Sequence, residues 1–314
     1  MDVLAEALRL TGARGAVGVR LEAGETWGQW LDSYPGAALH VVTQGSAWLH
    51  RPGDPPAPIG EGDAVLLAPG TPHGLAGDPG ATMGPCDGGA ARSARAAGMP
   101  LRLGMPPVRT EMITLHYDQD PAVRTPVLTV ATGPMHVAAG DSRQFTRTVE
   151  LLTAELEEPQ LGTTSVVTSI VNVLLVQFLR AWLARHPRQR SGSWLAAMRN
   201  PVVRDALTRV HREPHHPWTT DTLAAAVSVS RATLDRHFRN ALGQSPGAYV
   251  TQWRMDLASV RLRDTDDPVE SISAAVGYGS PHAFSRAFRR ARSMAPGEYR
   301  ALLRSGAPAR PAEA

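Results

Sequence analysis

The 314-residue chain contains no lysine, so all 32 of its basic residues are arginine. With 29 glycines and 26 prolines, that bias suggests a GC-rich genome. A single cysteine, Cys86, excludes an intrachain disulfide and a cysteine-based zinc site. No apolar run reaches the length of about 18 residues expected of a membrane span. The N-terminal stretch "MDVLAEALRL" carries acids where a signal peptide needs basic residues. Together these features lead to the expectation of a soluble cytoplasmic protein, long enough for two domains that each bury a core.

The small net charge of +3 hides an asymmetry. Residues 1–187 hold 13 Arg against 18 acids, whereas residues 188–314 hold 19 Arg against 11. A basic half beside an acidic half is an electrostatic hint of nucleic-acid binding by the basic half. Modest imbalances are common, so the hint needs independent support.

Residues 17–73 read as short strands broken by Gly and Pro, with alternation in "SAWLHR" and a β-branched pair at Val41 and Val42. Residues 74–107 lack periodicity and read as a mobile loop. Strand patterns resume at "EMITLHYD" and "PVLTVA", giving a β-barrel or sandwich. From Ser142 the period becomes helical, with Asp141 or Ser142 as N-cap and Phe145, Val149, Leu152 and Leu156 as an apolar stripe. The next helix, "TSVVTSIVNVLLVQFLRAWLARH", is apolar around much of its circumference, which suits either a domain core or a dimer seam. The polar stretch 186–193 reads as a linker.

The latter part of the chain repeats itself. "SRATLDRHFRNALGQSPGAY" from Ser230 aligns with "SPHAFSRAFRRARSMAPGEY" from Ser280 at an offset of 50. Arg236 pairs with Arg286, Phe238 with Phe288 and Arg239 with Arg289. Upstream the offset is 49, pairing Leu223 with Ile272 and Val227 with Val276. Each copy reads as helix, tight turn, helix, the dimensions of a helix-turn-helix. Thr219 or Thr220 caps the first helix of copy one, and Ser230 and Ser280 cap the second helices. Asp267 is the expected cap of "VESISAAV", with Pro268 at its first helical position. A helix through Leu262, with Tyr249, Trp253, Leu257 and Val260 on one face, joins the copies.

Leu234 with Phe238, and Phe284 with Phe288, mark the buried sides of the second helices. The opposite face carries Ala232, Asp235, Arg236 and Arg239 in one copy and His282, Ser285, Arg286 and Arg289 in the other. Slim residues early and arginines later suit a recognition helix, because Arg can grip guanine O6 and N7 with two bonds. Asp235 would accept from cytosine N4 or hold Arg236 in place. For one helix a solvated charged face is the simpler reading; duplication inside a basic half reverses that preference.

The segments "WTTDTLAAAVSVSRATLDRHFRNALGQSPGAYVTQWRMDLA" and "PVESISAAVGYGSPHAFSRAFRRARSMAPGEYR" closely resemble the double helix-turn-helix domain of AraC/XylS-type transcriptional regulators. The resemblance implies sequence-specific binding of double-stranded promoter DNA, as activator or repressor, with RNA polymerase as a further partner. It places base contacts on Ala232, Asp235 and Arg236, and on Pro281, His282, Ala283, Ser285 and Arg286. Upstream, "ALHVVTQGSAWLH", "IGEGDAVLLAPGTPHGL" and "MITLHYD" resemble a cupin-type sensor domain. This implies a homodimer modulated by an unknown small-molecule effector. The fold class is then α+β: a cupin-like β-barrel over residues 1–140, a helical dimerisation segment over 141–186, a linker over 187–200 and an all-α double helix-turn-helix domain over 201–305. The family branch often carries a Cys-Gly pair where this chain has Thr114 and Leu115, which weakens thiol sensing.

The alternative function is a cupin metalloenzyme or a metal-binding sensor. Cupin enzymes resemble one another in a set of paired His, Glu and a further His. Here His40 and His73 survive, but Val42 stands at the second His position and no Glu follows. His116 is the remaining candidate, and three imidazoles would suit a divalent zinc or iron ion. Without the carboxylate and the paired His, the histidines are equally read as hydrogen-bonded barrel residues; no cofactor is required and no enzyme is expected. A binder of DNA without sequence choice is a third reading. Cys86, with Arg92 and Arg95 nearby, is a candidate for a lowered thiol pKa, though an incidental thiol is the default.

Overall fold

A computed structural model describes residues 3–11, 14–32, 34–118, 120, 122, 123, 125, 133–186 and 194–304. Along the chain α1 (Val3–Leu10) precedes β1 (Arg14–Glu25), β2 (Gly28–Leu31), β3 (Ala37–Gln44) and β4 (Ser46–His50). Then come β5 (Ala57–Gly60), β6 (Ala64–Leu67), β7 (His73–Ala76), β8 (Gly84–Pro85) and α2 (Gly88–Ala96). β9 (Leu101–Leu103), β10 (Met105–Asp118), β11 (Met135–Val137), α3 (Arg143–Glu157) and α4 (Thr163–Arg185) follow. The rest is helical: α5 (Trp194–Ala197), α6 (Pro201–Arg212), α7 (Thr220–Ala226), α8 (Arg231–Leu242) and α9 (Pro246–Asp264). It ends with α10 (Val269–Ala275), α11 (Pro281–Arg292) and α12 (Pro296–Arg304).

The chain forms two units that interleave in sequence: residues 14–119 with 128–189, and residues 1–13 with 120–127 and 190–314. In the first, a six-stranded sheet has the order β11-β6-β3-β10-β1-β9 and a five-stranded sheet the order β5-β4-β7-β2-β8. Among the described residues the two sheets are not closed, and the expected β-rich, cupin-like unit takes an open arrangement. Leu21, Trp27, Val42, Leu49, Val65, Leu75 and Met112 form the core of this sheet unit. Strands β3 and β6 are buried almost throughout, as strands covered on both faces must be.

The expected loop over 74–107 is corrected: it holds β7, β8, α2 and β9. Asp87 starts α2 by accepting from the Gly89 and Ala90 amides, both at 2.9 Å, and β9 pairs in parallel with β1. Short elements held by one cap and one ladder leave no periodic signal in sequence. The strand expected at "PVLTVA" lies outside the described residues, as do residues 187–193 of the expected linker.

Helix α3 starts at Ser142, whose hydroxyl accepts from the Phe145 amide at 3.2 Å. Helix α4 is the element that corrects the expectation about apolar runs, because by length and composition it is long enough to cross a membrane. Its residues Ile170, Val171, Leu174, Leu175, Phe178, Leu179 and Trp182 are instead buried against α3 and β1. Each large side chain so buried contributes about 1.5–3 kcal/mol. Tyr117 on β10 donates to the Val171 carbonyl at 2.9 Å, and Asn172 accepts from the Gly15 amide at 3.1 Å. Gly15 is required there, since a Cβ would meet Val171 Cγ1 at 2.3 Å. Val166 and Val173 on α4, with Leu151 on α3, remain exposed.

The helical unit contains both helix-turn-helix copies. Leu223, Leu234, Phe238, Tyr249 and Trp253 are buried in the first, and Ile272, Val276, Phe284, Phe288 and Tyr299 in the second. Helix α9 is buried around most of its circumference, a wider buried surface than the single expected face; Leu257 and Val260 are only half-buried. Two departures from the expected boundaries stand out. Helix α5 begins inside the expected linker, with Trp194 buried and donating to the Tyr249 hydroxyl at 3.1 Å. The N-terminal helix and residues 120–127, expected with the sheets, belong to this unit: α1 packs on α6 and α9, and Ala122 joins the core of the second copy.

Candidate functional site

The two recognition helices are started as expected. Ser230 accepts from the Thr233 amide and Ser280 from the Ala283 amide, each at 3.1 Å. Thr219 and Thr222 form a reciprocal capping box on α7. Helix α10 differs: Pro268, with φ −62° and ψ 151°, stands in extended conformation at the N-cap, and no side chain caps the helix. Asp267 is therefore not the cap.

The turn between α10 and α11 passes through Gly277 at φ +84°, where a Cβ would meet the His215 carbonyl oxygen at 2.8 Å. Its counterpart in the first copy, 49 residues earlier, is Ser228, held at φ +58°. At the helix ends the choice is reversed: Gly243 at φ +70° closes α8, and Ser293 at φ +64° closes α11. Both copies keep the same left-handed positions and fill them differently, at some backbone cost wherever serine stands.

Phe284 and Phe288 are fully buried, as are Leu234 and Phe238. On the opposite faces Ala232, Arg236, Arg239, His282, Arg286 and Arg289 are exposed. Asp235, Pro281, Ala283 and Ser285 are half-buried. Asp235 accepts from Arg239 at 2.7 Å, one helical turn on, so it holds Arg239 rather than Arg236. Among the described residues Arg236 and Arg286 make no ion pair. The duplicated position thus carries an uncommitted guanidinium in both copies.

Beneath the first recognition helix lies an aromatic stack. The His211 ring lies 3.5 Å from that of Trp253 at 8°. Tyr249 accepts from Trp194 and sits 2.8 Å from His211 Nε2, so its hydroxyl donates to that nitrogen. Among the described residues Nδ1 has no partner, and burial pushes the imidazole pKa down from 6.5 to about 3. The folded state therefore prefers neutral His211, and its contribution is complete above pH 6.5. It is lost as pH falls, at about 1.4 kcal/mol per pH unit, because the unfolded chain takes up the proton first. Urea unfolding at pH 6.5 and pH 5 will show a loss of about 2 kcal/mol from this group. His211→Phe will flatten that dependence; an unchanged slope would assign it elsewhere.

In the sheet unit, His40 on β3 lies opposite Thr114 on β10, and its Nδ1 is 2.9 Å from the Thr114 hydroxyl. His40 Nε2 is 2.9 Å from His73 Nε2, and His73 Nδ1 is 2.9 Å from the Thr71 carbonyl. One tautomer set satisfies the chain: Thr114 donates to His40, His40 to His73, and His73 to Thr71. Burial lowers both imidazole pKa values, with His73 and His116 adding to the effect at His40. His116 instead stacks on Tyr34, ring centres 4.0 Å apart. Among the described residues no group of three His, Cys, Asp or Glu gathers as a metal ligand set. The cupin likeness implies a metal, but these residues do not fit one, because the lone pairs of His40 and His73 are engaged with one another and with Thr114.

Tyr34, His40, Thr114 and His116 border a cavity of about 470 Å³, lined also by Trp27, Leu75 and, from α2, Arg92 and Arg95. Gly18 shapes its wall: it stands at the β1 bulge, and a Cβ there would meet the His116 ring at 2.7 Å. Cys86 also borders the cavity, but burial, and then the charge of Asp87, push its thiol pKa up, which corrects the expectation of a lowered one. Sequence reasoning missed Gly18 and Tyr34. It noted Arg92 and Arg95 only as neighbours of Cys86, since neither carries a local signal for facing a cavity.

Two family profiles match the chain, a cupin over residues 2–184 and a helix-turn-helix domain over residues 223–302. A putative AraC-like transcription regulator of Streptomyces antibioticus is 36% identical over 310 residues, covering 96% of this chain and 98% of its own. The HTH-type transcriptional regulator MtrA of Neisseria gonorrhoeae is 30% identical over 305 residues, with the same shares covered. A solved AraC-type regulator structure from Chromobacterium violaceum is 31% identical, covers 34% of this chain and 96% of its own, and has a TM-score of 0.32. With a cupin profile over more than half its length, a helix-turn-helix profile behind it and full-length relatives that are transcription regulators, the chain belongs to the AraC family of DNA-binding transcriptional regulators and is not an enzyme.

Proposed function

We propose that α8 and α11 enter two successive major grooves of a promoter and read its sequence there. The observation that carries this reading is the arginine at the same place in both copies, Arg236 and Arg286, which among the described residues makes no ion pair. Ala232 and Asp235 in α8, and Pro281, His282, Ala283 and Ser285 in α11, border the bases, while Arg239 and Arg289 lie one turn on. Helix α9, 19 residues long, spans about 28 Å and joins the two units. That length, with the width of the units, suits grooves about 34 Å apart along one face of DNA.

The exposed Leu151, Val166 and Val173 support a homodimer formed along α3 and α4. A small molecule in the sheet-unit cavity shifts promoter affinity, and the regulator acts in the cytoplasm on initiation by RNA polymerase. Footprinting with the full chain on genomic fragments tests the reading. It will show discrete protected sites, each with two adjacent tracts; uniform protection would leave a binder without sequence choice.

A further inference from the structure

The cavity of the sheet unit has a chemical bias that identifies a class of ligand. Its walls are mainly apolar and aromatic, with Leu21, Trp27, Leu31, Leu75 and Leu101 among them. The volume of about 470 Å³ falls within the roughly 300–1,000 Å³ typical of small-molecule pockets. Its imidazoles, His40 and His116, are held neutral by burial.

The charged lining residues are Arg92, Arg95 and Asp118, a net of one positive charge. Asp118 already accepts a hydrogen bond from the Tyr34 hydroxyl. Among the described residues neither arginine makes an ion pair, and Arg95 lies close enough to act on both Tyr34 and His116. They stand three apart on α2, hence on one face of that helix. The helix is fixed at both ends, by the Asp87 cap and by Arg20 Nη2 donating to the Gly98 carbonyl at 2.9 Å. Two uncommitted guanidiniums on a pinned helix at the edge of an apolar cavity are a preset grip for a carboxylate.

We propose that this cavity binds an apolar monocarboxylate, its hydrocarbon or ring body among Trp27, Leu31 and Leu75 and its carboxylate on Arg92 and Arg95. This rests on the reading of the sheet unit as the effector-binding part of the regulator, and it names the effector's chemistry. Hydrocinnamate is a suitable probe, with hydrocinnamamide as the uncharged analogue and phenylpropylamine as the cationic one. Calorimetry on the full chain will show the acid binding about tenfold or more tighter than the amide, the worth of a charge-assisted hydrogen bond. The amine will bind least.

The double variant Arg92→Ala/Arg95→Ala will bring the acid down to the level of the amide. Ala91→Trp, which fills the cavity from α2, will abolish binding of both and so locate the site. The proposal is overturned if the amide matches the acid, if the arginine variants bind the acid unchanged, or if none of the three probes binds. Footprints on the same preparations, with and without probe, separate the two readings. Acid binding that leaves every footprint unchanged removes the effector role but keeps the site, whereas probe-independent footprints without acid binding remove the site and keep the DNA-binding reading.

Discussion

Arg286→Ala will weaken binding to a cognate promoter site by about 1–3 kcal/mol, roughly 5- to 150-fold, and leave binding to random DNA nearly unchanged. The size follows from a bidentate grip on a base edge, which an arginine makes and an alanine cannot replace. Arg286 is exposed on α11 and, among the described residues, has no ion pair to break before it reaches DNA, so the full value of the contact is available. Arg236→Ala will behave alike, because the same position in α8 is equally uncommitted. Arg239→Ala will cost less, since Asp235 already engages that guanidinium and must release it before it can reach DNA. Equal losses on cognate and random fragments would make Arg236 and Arg286 phosphate contacts, and the specificity would have to be sought elsewhere on the two helices.

The largest effect on stability is expected away from the DNA face, at Arg292 near the end of α11. Its side chain is 3% exposed and pairs with Asp256 on α9, which is fully buried. Arg292 also donates from Nε to the Ser259 hydroxyl at 3.0 Å and from Nη2 to the Ala122 carbonyl at 3.3 Å. Asp256 accepts in turn from the Thr125 amide at 3.0 Å and from its hydroxyl. Removing one member leaves the other as an uncompensated charge, which costs about 3–5 kcal/mol.

Arg292→Met will therefore lower the unfolding free energy of the full chain by that amount in urea titration. The double variant Arg292→Met/Asp256→Leu will recover much of it, because no buried charge then remains. A loss below about 1 kcal/mol in the single variant would mean that water reaches the pair, contrary to its burial. The same substitution also removes the Arg292 bond to the Ala122 carbonyl, while Thr125 stays bonded to Asp256.

Most of the helical unit was legible in the sequence because helices declare themselves locally. Ser230 and Ser280 cap, Phe284 and Phe288 repeat at the helical period, and the copy 50 residues earlier repeats the pattern. The cap at Pro268 was misread because a proline after an aspartate suits the first turn equally well; only its ψ of 151° separates the two. The sheet unit was less legible. Helix α2 is short and glycine-rich, held by Asp87 and by Arg20 from a strand far away in sequence. Its role at the cavity has no periodic signature.

From the order of residues alone follow the duplicated helix-turn-helix units, their buried faces and the arginines opposite them, since these depend on neighbours within one or two helical turns. The tertiary structure alone decided three matters: that His40 and His73 bond to one another, that Arg92 and Arg95 face a cavity, and that Thr125 reaches Asp256 across 131 positions. Each depends on strands or segments distant in sequence being brought into register, and the free energy that aligns them is distributed over the whole core rather than written in any local stretch.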